Sequence, residues 1–296
     1  MTIYNFGSIN LDHLYQLDHF VRPGETMASD SYQCLLGGKG ANQSVALAQA
    51  GGGVKHVGAI HSVDTMILTQ LEELKVDVSL IETLDTPTGH AIIQLTKAAE
   101  NSIILYPGAN HCLSKVRVDE ILSAAQQGDW VLLQNETNLV DYIIESAHSK
   151  GLKVAFNPAP MDAELTKAVL PFVHLLIVNE VEAMDLVGVD TIDAAAQLLP
   201  ERYPELAVLM TLGQDGVRYF DGEENLHVPA FRVDAVDTTA AGDTFIGYTL
   251  SAILSGTPIA EAMRRGCAAS AICVTRLGAM AAIPSQHEVE QFLLEN

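Results

Sequence analysis

A chain of 296 residues, 48% of them apolar, has enough material to bury a sizeable core. Its 37 acidic and 16 basic side chains leave a formal charge of −21, which argues against nucleic acid and anionic membranes as partners, because both need clustered Lys and Arg. No apolar run approaches the ~20 residues of a membrane helix, and the four cysteines (Cys34, Cys112, Cys267, Cys273) show neither CxxC spacing nor a disulfide framework, so cytoplasmic residence is expected.

Met1 to Gly7 has neither the basic start nor the long apolar stretch of a signal peptide. Ile3 to Ile9 reads as a strand ending in Asn10-Leu11-Asp12. From Asp12 to Leu36 the polarity is irregular, with several aromatics and a Pro23-Gly24 turn, as in an excursion from the core. Gly37-Gly38-Lys39-Gly40 leads into a helix over Ala41 to Ala50, stopped by three glycines. A strand over Lys55 to Ile60 and a helix over about Asp64 to Leu74 follow. Thr88 to Tyr106 alternates like an antiparallel pair with a turn near Ala99-Glu100-Asn101, and pairs with the excursion to give a small separate sheet.

Beyond Pro107 the pattern becomes βα repetition. Trp130–Leu133, Val154–Phe156, Leu175–Val178 and Ala207–Met210 are continuous apolar strands, suited to a parallel sheet covered on both faces. The predicted fold is α/β and doubly wound, a mainly parallel sheet with helices on both faces plus a small β-sheet lid. One domain over residues 1–296 is expected, with a lid from about 13–36 and 88–106.

Ligands of open α/β sheets sit beyond the carboxyl ends of the strands. Asn10, Asp12, Asn135, Glu136, Asn157, Asn179, Glu182, Thr211 and Gly213 all follow predicted strands. Any one of them also fits a helix cap or a turn. In Asp237-Thr238-Thr239-Ala240-Ala241-Gly242-Asp243, small residues precede an apolar helix running to Leu254. Free N–H groups at that helix start suit a phosphoryl group, and Asp243 reads equally as a proton acceptor or as a carboxylate favoured by the helix dipole. Gly37-Gly38-Lys39-Gly40-Ala41-Asn42 fails the phosphate-loop pattern because Gly40 follows Lys39, and GxGxxG is absent. Lys39 and Asn42 on such a turn suit a polyol at least as well as a phosphate. None of the ten histidines pairs as HxxxH, which argues against zinc.

Together these segments resemble the ribokinase-like family of carbohydrate kinases, matching in order and separation along essentially the whole chain. The resemblance implies phosphoryl transfer from ATP to the primary hydroxyl of D-ribose or a related pentose. Family acceptors also include fructose-type sugars, sugar acids and nucleosides, and a sugar-binding protein without catalysis would share the scaffold. By similarity Asn10, Asp12, Gly38, Lys39, Asn42 and Glu136 bind the sugar, Asp243 is the base, and the N–H groups of Ala241, Gly242 and Asp243 form an anion hole. Asn179 and Glu182 match the element that organises Mg²⁺ and phosphates through the metal's water shell, and Thr211, Gly213 and Gly216 border the nucleotide. Asp237 and Thr239, with Cys273, Arg276 and Gly278, match two arms of a K⁺ site, and Ala282 replaces a common Ser there. The family pattern also implies a homodimer through the lid. Departures fall at His61-Ser62-Val63-Asp64, at His90 in the lid and at Tyr248 in the signature helix, where they bear on substrate preference.

Overall fold

The computed structural model describes residues 1–98 and 100–296. Strand β1 (Ile3–Phe6) is wholly buried and lies inside the main sheet. It stops at Phe6 rather than running on to Ile9, and the chain crosses directly into a second sheet as β2 (Asn10–Leu17), paired with β3 (Ser31–Gly37). Helix α1 (Lys39–Gln49) begins two residues earlier than its composition suggests. β4 (Val54–His61), α2 (Met66–Glu73) and β5 (Asp77–Leu84) return to the main sheet. β6 (Gly89–Thr96) and β7 (Asn101–Tyr106) complete the four-stranded small sheet in the order β3-β2-β6-β7. The turn expected near Ala99-Glu100-Asn101 falls partly on Ala99, outside the described residues.

The rest alternates as the sequence predicts. It runs α3 (Lys115–Ala124), β8 (Trp130–Gln134), α4 (Val140–Ser149), β9 (Lys153–Asn157), α5 (Ala163–Val169), β10 (Leu175–Asn179), α6 (Glu180–Val187), α7 (Ile192–Arg202) and β11 (Ala207–Thr211). Two short strands that the sequence reading did not anticipate, β12 (Val217–Phe220) and β13 (Asn225–Val228), extend the edge antiparallel. α8 (Ala241–Leu254), α9 (Ile259–Val274) and α10 (Gln286–Glu295) close the chain. The nine-stranded order is β13-β12-β11-β10-β9-β8-β1-β4-β5, parallel from β11 through β5.

Strand side chains alternate between the faces, so each apolar strand serves two cores. Leu132, Ala155, Ile177 and Leu209 join one core with residues of α1, α8 and α9. Val131, Phe156, Leu176 and Val208 join the other, with residues of α3, α4 and α6. At Gly247 a Cβ would overlap Ala46 and Leu47, so α8 lies unusually close to α1. That approach brings the N-termini of both helices to one place beyond the sheet. Among the described residues no helix is long and apolar enough to cross a membrane.

Candidate active site

The direction of winding reverses between β1 and β8: β4 and β5 lie on one side of β1, and β8 to β11 follow on the other. A crevice at such a reversal is where ligands of this architecture bind. Ser8, just after β1, anchors it. Its carbonyl accepts from the N–H of Ala41 at 2.9 Å, its Oγ accepts from the N–H of Gly40 at 3.2 Å, and its hydroxyl donates to Glu136. Glu136 also accepts from the N–H of Lys39 at 3.1 Å. The glycine turn thus seats on the end of β1, and at Gly40 a Cβ would overlap the Gly7 backbone. Gly38 (φ +95°) lies in the left-handed region, with Ser8 O 2.9 Å from where its Cβ would be, so no other residue fits there.

Asn10 begins the small sheet with its amide fixed by Asn110. Asn110 Nδ2 donates to Asn10 Oδ1 at 2.8 Å, while Asn110 Oδ1 accepts from the N–H of Ile9 at 2.9 Å. That leaves Asn10 Nδ2 as a donor with no acceptor among the described residues. Asp12 lies two residues on, and a Cβ at Gly37 would overlap its carboxylate. Sequence reasoning did not single out Ser8 or Asn110; the only signal for Asn110 is a polar residue in the Pro107-Gly108-Ala109-Asn110 turn, which is buried.

Asp243 sits in the first turn of α8 and is buried. Its Oδ2 accepts from Asn42 Nδ2 at 3.0 Å and its Oδ1 from Gln43 Nε2 at 2.9 Å. Asn42 Oδ1 is buried with no partner among the described residues. The start of α8 differs from expectation in one respect. Among the described residues the N–H groups of Gly242 and Asp243 have no acceptor, whereas that of Ala241 bonds Thr238 O at 3.2 Å. Two free donors therefore face the crevice, and Ala241 contributes a third only if that turn bond opens.

Five ionisable groups converge here. Burial pushes the Asp243 carboxyl up, against the opposing pull of the Lys39 charge and the two amide bonds. Burial likewise raises Glu136 and Glu182. Burial, with the Glu136 charge adding, pushes Asp12 up to about 6. Burial works against the charge on Lys39, yet Asp243, Glu136 and Glu182 outweigh it and hold the ammonium above its usual range. One cation thus sits among three carboxylates in a protein of charge −21.

On the far side, Asn179 and Glu182 form a capping box for α6: Asn179 Oδ1 accepts from the N–H of Glu182 at 2.8 Å and Glu182 Oε2 from that of Asn179 at 2.9 Å. One oxygen on each carboxyl or amide is engaged, and Glu182 Oε1 stays available to water. Thr211 ends β11, and Gly213 follows with open space about it. At Gly216 a Cβ would overlap Val228, so the absence of a side chain here lets β13 pack closely.

The loop before α8 and the end of α9 are tied together by Asp237. It accepts from Thr239 N at 2.9 Å, Thr239 Oγ1 at 2.6 Å and Gly278 N at 3.0 Å. Arg276 turns away to Glu288 at 2.6 Å, and Cys273 Sγ points at Thr239 O at 3.7 Å. Cys273, Arg276 and Gly278 can offer only backbone carbonyls. Among the described residues no three His, Cys, Asp or Glu side chains cluster as a metal site. The donor set fits a large, weakly held monovalent cation and not a transition metal.

One of the noted departures lies away from the crevice. Tyr248 is buried, donates to Pro284 O at 2.6 Å and lines a cavity with Met1 and Gly51 to Gly53, at the opposite end of the strands from Asp243. It does not touch the crevice. His90 lies on the small sheet with its ring 5.8 Å from that of His13 and 5.0 Å from that of Tyr106. The His61 ring accepts from the N–H of Val63 at 3.1 Å, closing the short turn after β4.

The family described as pfkB family carbohydrate kinase matches residues 3–286. The ribokinase of Haemophilus influenzae is 38% identical, with 99% of this chain and 98% of the relative covered. The deoxyribokinase of Salmonella typhi is 32% identical over the full length of both. Among solved structures, Arabidopsis thaliana ribokinase complexed with ribose and ATP superposes with a TM-score of 0.87 at 27% identity, covering 99% of this chain and 98% of that one.

Proposed function

This chain belongs to the pfkB family of carbohydrate kinases, and we propose on that premise that it transfers the γ-phosphoryl group of ATP to the primary hydroxyl of D-ribose, giving the 5-phosphate. The observation that carries the reading is the buried Asp243 carboxylate beside the free N–H groups of Gly242 and Asp243. Asp243 takes the proton of the attacking hydroxyl as the new O–P bond forms and the bond to ADP breaks. The two N–H groups stabilise the charge that develops on the phosphoryl oxygens.

Asn10, Asp12, Gly38, Lys39, Asn42 and Glu136 line the crevice around Asp243 and are assigned to the sugar. Asn42 Oδ1, otherwise unpartnered, accepts a sugar hydroxyl. Thr211 and Gly213 border the nucleotide. Glu182 and Asn179 would hold Mg²⁺ through water, which supplies charge neutralisation on the phosphates. The carbonyls of Asp237, Thr239, Cys273, Arg276 and Gly278 would hold K⁺, which fixes the loop that presents the anion hole.

ADP release measured against ribose, 2-deoxyribose, fructose, sugar acids and nucleosides, with and without K⁺, tests the reading. Ribose is expected to give the highest kcat/KM. A deoxyribokinase relative makes 2-deoxyribose the pertinent rival, and a higher kcat/KM for it overturns the substrate assignment.

Asp12 makes sugar affinity dependent on pH. Its carboxyl, raised to about 6, accepts hydroxyl hydrogen bonds at both oxygens only when ionised, and Glu136 is shifted in the same direction. As pH falls from 7.5 to 5.5, KM for the sugar rises about three- to fivefold. In Asp12→Asn, KM is high and its pH dependence is much flatter. An unchanged slope in that variant would remove Asp12 from the sugar site.

The small sheet, with residues from about 13–36 and 88–106, acts as a lid over the sugar in a single kinase domain. Ile103, Ile104, Leu105 and Tyr106 of β7 are all exposed, at 54%, 60%, 50% and 46%. Two lids pairing through this surface would cover it and give a homodimer. Light scattering at the mass of one chain would refute that assembly. A cytoplasmic location follows from the ATP requirement and suits the four free thiols.

A further inference from the structure

Beneath the crevice runs a set of buried polar side chains, none in contact with the proposed sugar position. Each link has a direction. His56 Nε2 lies 3.1 Å from Gly7 O, and a carbonyl can only accept, so Nε2 carries the hydrogen and Nδ1 is bare. The ring is neutral, because burial pushes it down to about 4 despite the Gly7 bond. Ser44 Oγ, 2.9 Å from Nδ1, must then donate to it. That leaves the Ser44 oxygen to accept from Asn5 Nδ2 at 2.8 Å, while the second Asn5 hydrogen goes to Gly40 O, also at 2.8 Å.

With its amide orientation fixed at two points, Asn5 presents Oδ1 to Gln134 Nε2 at 3.1 Å. Gln134 Nε2 donates its other hydrogen to Gln43 Oε1 at 2.7 Å. Gln43 is therefore left with Nε2 facing Asp243 Oδ1 at 2.9 Å and Asn157 Oδ1 at 3.1 Å. Asn157 is fixed in turn, since its Nδ2 donates to Ile177 O at 3.0 Å. Asn5, Gln43, Ser44, His56 and Gln134 are each 0% exposed, and of their side-chain polar atoms Gln134 Oε1 alone lacks a partner among the described residues. Reversing any one amide sets oxygen against oxygen or N–H against N–H along the whole chain.

We propose that Gln43 is a positioning residue for Asp243, its amide locked as a donor by the one-way chain from His56 through Ser44, Asn5 and Gln134. The chain aims the carboxylate at the acceptor hydroxyl and favours its ionised form. It rests on the kinase reading, in which Asp243 is the base. The charged groups facing Asp243 from other positions are Lys39 of α1, Glu136 after β8 and Glu182 of α6, with the Cys273 thiol of α9 nearby. None of these is altered when the Gln43 amide is removed.

Gln43→Met keeps the length of the side chain and deletes both its donors and its acceptor. Its kcat is expected to fall roughly 10- to 100-fold, with the acid limb of the kcat profile moving up by about one pH unit, because a charged hydrogen bond to the ionised base is lost. Sugar affinity by calorimetry stays within about threefold of wild type. In the pair Gln43→Met and Asp243→Asn, the double variant keeps the residual rate of Asp243→Asn alone, since Gln43 acts only through the carboxylate. Gln134→Met, one link further away, moves the same limb in the same direction by less, and it carries the test if Gln43→Met does not fold.

An unmoved acid limb in an active, folded variant overturns the proposal, as does a loss confined to sugar affinity or a double variant whose losses multiply. If wild type phosphorylates no acceptor in the panel, the kinase reading fails instead. The two failures are thus distinguishable.

Discussion

Asp243→Asn is expected to lower kcat by about three orders of magnitude while leaving sugar affinity within about threefold. The substitution keeps shape and removes the only change Asp243 undergoes in the reaction, acceptance of a proton. Hydrogen bonds from Asn42 and Gln43 hold the wild-type carboxylate from both sides, so both of its oxygens are acceptors. An amide matches only one of them and turns its NH₂ toward a donor at the other. That mismatch costs about 1 kcal/mol.

A second effect opposes the mismatch. Burial raises the Asp243 carboxyl above its unfolded value. A carboxyl raised in this way binds its proton more tightly when folded, so stability falls as pH climbs from the ordinary aspartate value of 3.8 through the folded value. Near neutral pH the ionised group is a liability to the fold that the neutral amide removes. With the two effects opposed, the melting temperature of the variant stays within about 4 °C of wild type. Near-wild-type turnover would remove Asp243 from its role as base. A large fall in melting temperature would show that its ionised form is structural.

The layout of the main sheet was legible because buried parallel strands are apolar throughout and Gly and Pro punctuate them. β5 escaped notice because Asp77, Ser79, Glu82 and Thr83 mix polar residues into a half-exposed edge strand. β12 and β13 are four residues each, too short for a periodicity. The first strand was read three residues too long because Gly7-Ser8-Ile9 is built of small or apolar residues and stays buried while it leaves the sheet.

At the site, the structure brings the strand-end residues Asn10, Asp12 and Glu136 together with Lys39, Asn42 and Asp243 in one crevice. Asn5 and His56 were hidden for a different reason: they lie within strands, and a search of strand ends passes over them, whereas Gln134 closes β8 and was passed over for its neighbours Asn135 and Glu136. Their signal was available, since a polar side chain inside Ile3-Tyr4-Asn5-Phe6 or Val54-Lys55-His56-Val57 must find a partner in the core. Which partner it finds depends on how closely α1 packs, and that is fixed by Gly40 and Gly247 rather than by anything local to the strands. Asn135 shows the converse. It stands beyond β8 as expected, but its side chain donates to Pro160 O at 3.1 Å and ties two loops together.

Lys39→Met should lower kcat/KM by about two to three orders of magnitude. Methionine fills most of the space of the lysine stem, so the change is chiefly one of charge. Lys39 keeps its proton against burial because Asp243, Glu136 and Glu182 surround it, and each of those carboxylates is held down in turn by the lysine. Removing the cation leaves three carboxylates, all already raised by burial, with only one another for electrostatic company. Asp243 then moves further up, so a smaller fraction is ionised at neutral pH and the acid limb of kcat shifts upward. The triphosphate also approaches an unrelieved acidic cluster in a protein of charge −21. Both consequences reduce turnover. Lys39→Arg restores the charge but not the compact ammonium, and recovers about tenfold of the loss. A methionine variant within threefold of wild type, with its acid limb in place, would show that the carboxylates at this crevice do not depend on Lys39.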